Sequence, residues 1–284
     1  MGARMKRGIA SAVALGVATA AVVLGLESSS SAAAVPSLQA YGIAGSGTLM
    51  LSFKTDTPEQ NDWVRRITGL VGDTSVVGID FRPADGKLYA VGNAGGIYVI
   101  GIPSTIATKV SQLTATLYGT KFGVDFNPAA DRLRVISDNG PNLRHNLADH
   151  TTIEDTTLTT PPATGPAKGV TAAAYTNNDL NNTTNTTLFA INTVTDQVVI
   201  QSPANNGFLV ATGNLGFDAG LDAGFDIYSD LSGGKTVSAT AFGVLTPSGG
   251  FQTFYGIDLL TGAAAPIGVF PLDVSDAAIA LDTY

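Results

Sequence analysis

The sequence predicts an all-β fold, and three observations support that prediction. Beyond residue 34, no stretch keeps the 3.6-residue hydrophobic period of a helix. Short runs rich in Val, Ile, Tyr and Phe alternate with turns of Gly, Asp, Asn and Pro. These runs recur as a unit that opens near residues 78, 123, 172, 224 and 278. Four short strands in every 45 to 54 residues are the pattern of a β-propeller blade, so we expect a propeller.

The first 34 residues have the pattern of a secretory signal peptide. Three basic residues lie within the first eight positions, an apolar run extends from residue 9 to residue 26, and Ala32-Ala33-Ala34 offers a cleavage site. We expect cleavage after Ala34, which leaves a single propeller domain of residues 35–284. The alternative is an uncleaved membrane anchor, because about 18 apolar residues can just span a bilayer. No later run is long enough to span a membrane.

The strands near the two ends of the chain are predicted to form one blade together. Near the N-terminus, strands at Gln39–Ala44, 48–53 and 63–70 have no innermost strand before them. The segment 278–282 resembles an innermost strand with no blade after it. Joining the two closes a ring of five four-stranded blades without a free sheet edge. A six-bladed ring is the alternative, and it requires extra strands in the segment 147–171.

The second and third blades carry the clearest copies of the unit. Each opens with a Gly-x-Asp-Phe-x-Pro motif, at residues 78–83 and again at 123–128. The strands predicted after these motifs are 87–91, 97–100 and about 108–113 in the second blade, and 132–136 and Asn142–Asn146 in the third.

The fourth and fifth blades are looser copies, which open at residues 172–175 and 224–227. The strands predicted within them are 187–192, Gln197–Gln201, 237–243 and 251–258.

The most distinctive part of the sequence is the segment 123–144, together with the segments that begin the fourth and fifth blades. This part of the sequence resembles a family of exported microbial proteins known as domain of unknown function 4394 (DUF4394). The resemblance covers nearly all of the expected mature chain, from about residue 39 to residue 284. It implies a propeller-like fold and export, and it implies no established activity and no catalytic residues.

The net charge argues against a nucleic-acid partner, and the absence of cysteine excludes disulfides as a source of stability. The formal net charge is −8, and an acidic surface repels phosphate backbones, so we expect no nucleic-acid partner. The chain has no cysteine, so its fold must rest on a hydrophobic core rather than on disulfides. About 250 residues are ample for such a core.

Three aspartates occupy the same position in the innermost strands of three blades: Asp80, Asp125 and Asp226. Because innermost strands line the central channel, these carboxylates are a candidate site for Ca²⁺ or another hard cation. The alternative is architectural, with each carboxylate accepting backbone N–H groups of a neighbouring turn. Alignment of the five repeat units with one another places Ala174 and Ala280 at this position in the other two blades, so the ring of carboxylates would be incomplete.

The third blade departs from the repeat by a cluster of polar side chains in its middle strands. Arg and Asn provide directional donors that suit carboxylates, sugars or peptide carbonyls. We therefore predict a ligand-facing patch formed by Arg134, Asn139, Asn142 and Arg144. The alternative is that Arg134 and Arg144 pair with Asp125 or Asp138 and hold neighbouring blades together.

Signals of catalysis are weak in this sequence. His145 and His150 are the only histidines, and both fall in a polar turn region, so we expect no zinc site of two or three histidines. No Gly-x-Ser-x-Gly nucleophile motif occurs.

The sequence thus favours a secreted, non-catalytic binding or scaffold module, extracellular or associated with the cell envelope. We expect a monomer with no cofactor, or with Ca²⁺ at the aspartates, and a polysaccharide, peptide or envelope component as its partner. The alternative is a metal-assisted hydrolase, lactonase or lyase that uses channel-facing aspartates. A propeller fold hosts both kinds of function and does not choose between them.

Overall fold

Twenty β-strands and one single turn of 3-10 helix make up the regular structure of residues 34–282, which are the residues that the computed structural model describes. The predicted signal peptide therefore lies outside the described residues, apart from Ala34. Residues 35–284 group as one compact unit. The strands form five four-stranded antiparallel sheets arranged as a ring, so the prediction of a five-bladed propeller is confirmed.

The first three strands form most of blade 1. They are β1 (Gln39–Ala44), β2 (Leu49–Lys54) and β3 (Thr57–Arg66). The predicted position of β3, residues 63–70, is wrong, because the strand starts six residues earlier, directly after a tight turn.

Blades 2 and 3 match the two clearest sequence repeats. Blade 2 contains β4 (Val76–Arg82), β5 (Lys87–Gly92), β6 (Gly96–Ile100) and β7 (Ala107–Gln112). Blade 3 contains β8 (Phe122–Asn127), β9 (Arg132–Ser137), β10 (Asn142–Asn146) and β11 (Thr151–Glu154).

Blades 4 and 5 match the looser repeats. Blade 4 contains β12 (Val170–Tyr175), β13 (Leu188–Asn192), β14 (Gln197–Gln201) and β15 (Leu209–Asn214), with the 3-10 turn Ala204–Asn206 between the last two. Blade 5 contains β16 (Ala219–Ser232), β17 (Lys235–Pro247), β18 (Thr253–Ile257) and β19 (Ala264–Val269).

The last strand, β20 (Val274–Ile279), closes the ring by pairing antiparallel with β1. The sheet order of blade 1 is β20–β1–β2–β3, so the C-terminal strand is the innermost strand of the N-terminal blade, as predicted. The six-bladed alternative is wrong. Its segment, 147–171, contains β11 and the start of β12, which belong to blades 3 and 4.

The hydrophobic core lies mainly between neighbouring sheets. Between blades 1 and 2, for example, Ile43 and Met50 pack with Ile79 and Leu88 in one buried cluster.

Aromatic rings seal the joint between blades 5 and 1. Phe53 of blade 1 contacts Phe254 edge-on at 5.3 Å and Phe270 at 5.0 Å between ring centroids. Edge-to-face pairs of this kind stabilise by about 0.5–1.5 kcal/mol beyond their buried area. Packing therefore joins blade 5 to blade 1, and the pairing of β20 with β1 completes the sheet of blade 1.

All five innermost strands run in the same direction along the ring axis, which gives the ring two different faces. We call the face where these strands begin the start face, and the face where they finish the end face. The turns between the second and third strands of each blade lie on the start face, with the loops that lead to the next blade. No helix among residues 34–282 is long and apolar enough to span a membrane.

Candidate functional site

The three predicted aspartates lie together on the axis of the ring. One carboxylate oxygen from each of Asp80, Asp125 and Asp226 lies within 4.8 Å of the others, and all three side chains are buried. The prediction that they gather near the channel is borne out by this geometry. The prediction of a cation among them stays a prediction.

Strand pairing corrects the alignment of the fifth position in this ring. Asp80 pairs with Tyr89 in the second strand of blade 2. Tyr41 occupies the equivalent position in the second strand of blade 1. Tyr41 pairs with Ala278, so Ala278 and not Ala280 is the counterpart of the aspartates. Ala280 lies beyond the end of β20. The repeat motif alone misplaces the closing strand by two residues.

A fourth buried carboxylate, Asp276, lies two residues before Ala278 in β20. Its counterparts in blades 2, 3 and 5 are glycines, and the absence of side chains there makes room for it. A Cβ built on Gly224 would lie 2.6 Å from the Cα of Asp276, so a larger residue does not fit there. The sequence repeat gave no signal for Asp276, because no other blade has a carboxylate at this level.

Each axial carboxylate accepts a backbone N–H from the innermost strand of the next blade. These bonds connect blade 1 to 2, 2 to 3, 3 to 4 and 5 to 1. The four pairs, given as acceptor and donor, are Asp276 with Ile79 (2.9 Å), Asp80 with Phe126 (2.7 Å), Asp125 with Tyr175 (3.0 Å) and Asp226 with Ile279 (2.6 Å).

The one joint without such a bond lies between blades 4 and 5, where Ala174 replaces the aspartate. In addition to the N–H of Ile279, Asp226 accepts the N–H of Ile227 on its own strand, at 2.6 Å. The axial carboxylates therefore connect four of the five blade joints. The donors are strand N–H groups rather than the turn N–H groups that the architectural alternative assumed.

Burial raises the pKa of all four axial carboxyl groups. For Asp226 it raises the pKa to about 6. The pKa values of Asp80 and Asp125 lie well above the usual range, first because of burial and then because of the neighbouring carboxylates. Burial also raises the pKa of Asp276 well above its usual range. The low polarity of the axis and the mutual repulsion of the carboxylates both favour the protonated form.

Two residues of the predicted polar patch, Arg134 and Asn142, are buried, each with 2% of its surface exposed. The Arg134 guanidinium donates to Asn142 Oδ1, Asp155 Oδ2 and Asn205 Oδ1, each at 2.7 Å. Because Asn205 belongs to blade 4, this guanidinium connects blades 3 and 4.

Asn142 uses all of its hydrogen-bonding capacity within the protein. Its amide nitrogen donates to the carbonyl oxygens of Thr156 and Ala204, both at 3.0 Å. Its oxygen accepts from Arg134 and from Gln201. A ligand could bond this amide only by displacing an internal partner.

Arg144 and Asn139 are more exposed than the other two. Arg144 forms a two-pronged ion pair with Asp155, in which both nitrogen–oxygen distances are 3.0 Å. The partner of both arginines is thus Asp155, and not Asp125 or Asp138 as the architectural alternative supposed. Asn139 accepts a hydrogen bond from Lys168 at 3.0 Å.

Asn139 and Asn142 line a cavity of about 300 Å³ on the start face, which we call the rim cavity. Its wall includes the carboxylates of Glu154 and Asp155 and the ring of Tyr118. Tyr118 is 66% exposed, so its ring is available to a ligand. The sequence gave no signal for Tyr118, because it lies in an irregular loop between blades.

A second cavity, of about 360 Å³, opens on the axis at the start face, and we call it the axial cavity. An ion pair between Lys121 and Asp222, 2.7 Å apart, lies in its wall. The remaining polar lining consists of hydroxyl, amide and carboxylate side chains: Ser46, Ser75, Asn93, Thr120, Asp273 and Ser275.

A third cavity, of about 520 Å³, lies at the end face. Its apolar lining includes Phe81, Leu180 and Leu281. Asp179, on the same wall, already accepts the backbone N–H and the hydroxyl of Thr236, both at 2.9 Å. The two faces of the ring therefore differ in chemistry, with polar cavities on the start face and an apolar cavity on the end face.

The two histidine side chains contact the same oxygen atom, at the joint between blades 2 and 3. Ser111 Oγ lies 2.8 Å from His145 Nε2 and 2.8 Å from His150 Nδ1. His145 is buried and His150 is exposed. The sequence shows the two histidines as turn neighbours, but Ser111, 34 residues before His145, had no signal that linked it to them.

Comparison with known proteins gives one family and several distant structures. The profile of the family described as "Domain of unknown function (DUF4394)" matches residues 49–280. No curated protein matches the chain.

Three solved structures are similar to this chain at 12–13% identity. A Bacteroides thetaiotaomicron protein of unknown function has a TM-score of 0.48, with 88% of this chain and 68% of that chain covered. Myxococcus xanthus glutaminyl cyclase has a TM-score of 0.42, with coverages of 78% and 97%. An auxiliary nutrient binding protein from Bacteroides thetaiotaomicron has a TM-score of 0.41, with coverages of 72% and 55%. Similarities this distant say nothing about activity.

Proposed function

The chain belongs to the DUF4394 family, and on that premise we propose that its mature domain is a non-catalytic extracellular binding module that holds a polysaccharide on its start face. Cleavage after Ala34 and export are part of this proposal. Mass spectrometry of secreted material should find a mature N-terminus near Val35, and a membrane-bound species that starts at Met1 would contradict export.

The position of one loop carries the binding proposal. Residues 116–120 form a wall shared by the two start-face cavities: Leu117, Gly119 and Thr120 line the axial cavity, and Thr116 and Tyr118 line the rim cavity. The two cavities thus form neighbouring subsites on either side of an exposed aromatic ring. A polymer with a repeating unit suits such a row of subsites better than a single small molecule does.

The chemistry of the lining favours a sugar. Tyr118 presents an apolar ring face with a polar hydroxyl, a combination that suits the mixed surface of a pyranose. Hydroxyl, amide and carboxylate groups around the axial cavity supply the donors and acceptors that sugar hydroxyls require.

The predicted patch residues take different parts in this proposal. Asn139 contacts the ligand, because it lines the rim cavity and its hydrogen bond to Lys168 is exposed. Arg134 and Arg144 donate to the carboxylate of Asp155 and hold it in place, and Asn142 accepts from Arg134. A carboxylate fixed by two guanidinium groups keeps its position as the ligand binds, which lowers the entropy lost on binding.

The proposal is tested by retention of the secreted protein on insoluble chitin, cellulose and peptidoglycan, and by affinity electrophoresis in soluble bacterial and plant glycans. We expect retention by at least one glycan, and at least a tenfold loss with Tyr118→Ala. Leu260→Ala is the control, because Leu260 is 79% exposed in a turn on the end face. Absence of retention by every glycan, or equal retention of the two variants, would contradict the proposal.

The metal-assisted hydrolase remains the alternative prediction. The proximity of Asp80, Asp125 and Asp226 favours it, but all three are buried and none of them lines the three cavities described above. A substrate therefore has no described approach to them. Stoichiometric calcium in the protein purified without chelator would favour the enzyme.

A further inference from the structure

Contrary to the expectation from the sequence that the two histidines form no zinc site, we propose that Ser111, His145 and His150 form a binding site for one divalent transition-metal ion, such as Zn²⁺ or Cu²⁺, at the joint between blades 2 and 3. The chain has two histidines, and both contact the same hydroxyl oxygen from a neighbouring blade. Imidazole nitrogen is a preferred ligand of both metals.

The two ring nitrogens converge on one small volume of space. His145 lies on β10, His150 lies directly before β11, and Ser111 comes from β7 of blade 2. Each ring nitrogen is 2.8 Å from Ser111 Oγ. Zn²⁺ binds imidazole nitrogen at about 2.0–2.1 Å, so an ion that replaces the protons of these two hydrogen bonds requires an outward shift of the exposed His150.

The second nitrogen of His145 is held as it is in known metal sites. His145 Nδ1 lies 2.9 Å from Thr152 Oγ1, and that oxygen accepts the backbone N–H of Thr114 at 3.0 Å. Ligating histidines almost always have a hydrogen-bond partner on the nitrogen away from the metal, which fixes the ring orientation. Thr152 therefore directs His145 Nε2 towards the proposed metal position.

One side of the proposed site is open to solvent. His150 is exposed, so one of the two proposed imidazole ligands is accessible from solvent.

The turn that carries His150 is locally fixed. His150 adopts a left-handed conformation with φ of 60°, which is uncommon for a residue with a side chain. Asp149 Oδ1 accepts the backbone N–H of Thr151 at 3.0 Å and its hydroxyl at 2.6 Å. These contacts place the His150 ring against blade 2 rather than leaving it free in solvent.

This site differs in chemistry from the axial carboxylates. Imidazole ligands favour Zn²⁺, Cu²⁺ and Ni²⁺, whereas a group of carboxylates favours Ca²⁺ and other hard cations. Zn²⁺ binding at the histidines should therefore persist in Asp125→Asn, and Ca²⁺ should not compete for it.

Isothermal titration of the metal-free secreted protein with Zn²⁺ tests the proposal, together with nitrogen hyperfine coupling in the electron paramagnetic resonance spectrum of bound Cu²⁺. We expect one ion per chain and two coupled nitrogens. His150→Ala should weaken binding at least 10-fold with little effect on folding, because His150 is exposed. Asp125→Asn is the control and should bind as the unaltered protein does.

Two results would overturn the proposal. Saturable binding that His150→Ala leaves unchanged would place the metal elsewhere. Absence of saturable binding to the unaltered protein would make the three residues a hydrogen-bonded connection between blades and nothing more. Ser111→Ala is a second variant that keeps both histidines, and it should still show two coupled nitrogens.

Discussion

At the axis, each aspartate carboxylate accepts a backbone N–H from the next blade while it lies close to other carboxylates. The hydrogen bonds favour ionised oxygen acceptors, whereas burial and mutual repulsion favour protonation. The pKa of each group is raised, so burial and repulsion outweigh the hydrogen bonds. Close packing of four such groups makes stability depend on pH.

The stability of the ring should fall as pH rises from about 4. The folded pKa of Asp226 is about 6, above the unfolded value of about 3.9. Its contribution is thus fully present below pH 4 and lost as pH rises through 6. The pKa values of Asp80, Asp125 and Asp276 are also raised, so these groups change the stability in the same direction. Urea unfolding in EDTA at pH 4, 6 and 8 measures the trend, and a stability that rises with pH would contradict it.

Asp125→Asn should raise the free energy of unfolding at pH 8, because the pKa of this buried carboxyl group is raised well above its usual range. The amide oxygen keeps the acceptor for the Tyr175 N–H and removes one buried charge. The gain should shrink at pH 4, where the carboxyl group is already neutral. Urea unfolding of both proteins at the two pH values checks this, and a loss of stability at pH 8 would count against the account.

Asn142→Ala should destabilise the protein by about 1–3 kcal/mol, because it leaves buried partners without a hydrogen bond. The affected groups include Arg134, Gln201 and the carbonyl of Ala204. Asn139→Ala is the matched control and should change the unfolding free energy by less than about 0.5 kcal/mol. Equal stabilities of the two variants in urea would refute the buried network.

Among the strands, most of the second and third strands of the blades were easier to predict from sequence than the innermost and outermost ones. Strand β10 lies at the predicted residues, and β5, β9 and β13 lie within one residue of prediction at each end. Strands β5 and β13 are mostly buried and read as nearly continuous apolar runs. The more polar strands β9 and β10 were placed by their position in the repeat. The outermost strand β3 is mostly exposed and carries no clear alternation, which explains why its start was misplaced.

Deletion of residues 273–284 should prevent stable folding, because it removes β20. The strand buries Val274 and Ile279 completely or nearly so, and burial of two such side chains contributes about 3–6 kcal/mol. It also carries Asp276 and the N–H that Asp226 accepts. Circular dichroism on heating measures the effect. A truncated protein that melts within a few degrees of the full one would show that ring closure is dispensable.

Over the whole molecule, the sequence repeat was enough to predict the blade count, the ring and its closure by the C-terminal strand. It also predicted the convergence of three aspartates, because equal positions in equal blades meet at the axis. It could not predict the cavities, since their walls combine loops from several blades whose irregular geometry leaves no repeat. The repeat likewise did not predict the positions of Tyr118 and Asp155 or the contact between Ser111 and His145.

Hydrogen–deuterium exchange, with and without the glycan that retains the protein, tests the start-face proposal most directly. We predict slower exchange in residues 113–121 and 138–142, around the two start-face cavities, and unchanged exchange at the end face around residues 178–181 and 280–282. Slower exchange confined to the end-face residues would contradict the claim that the start face binds the ligand, as would unchanged exchange in residues 113–121.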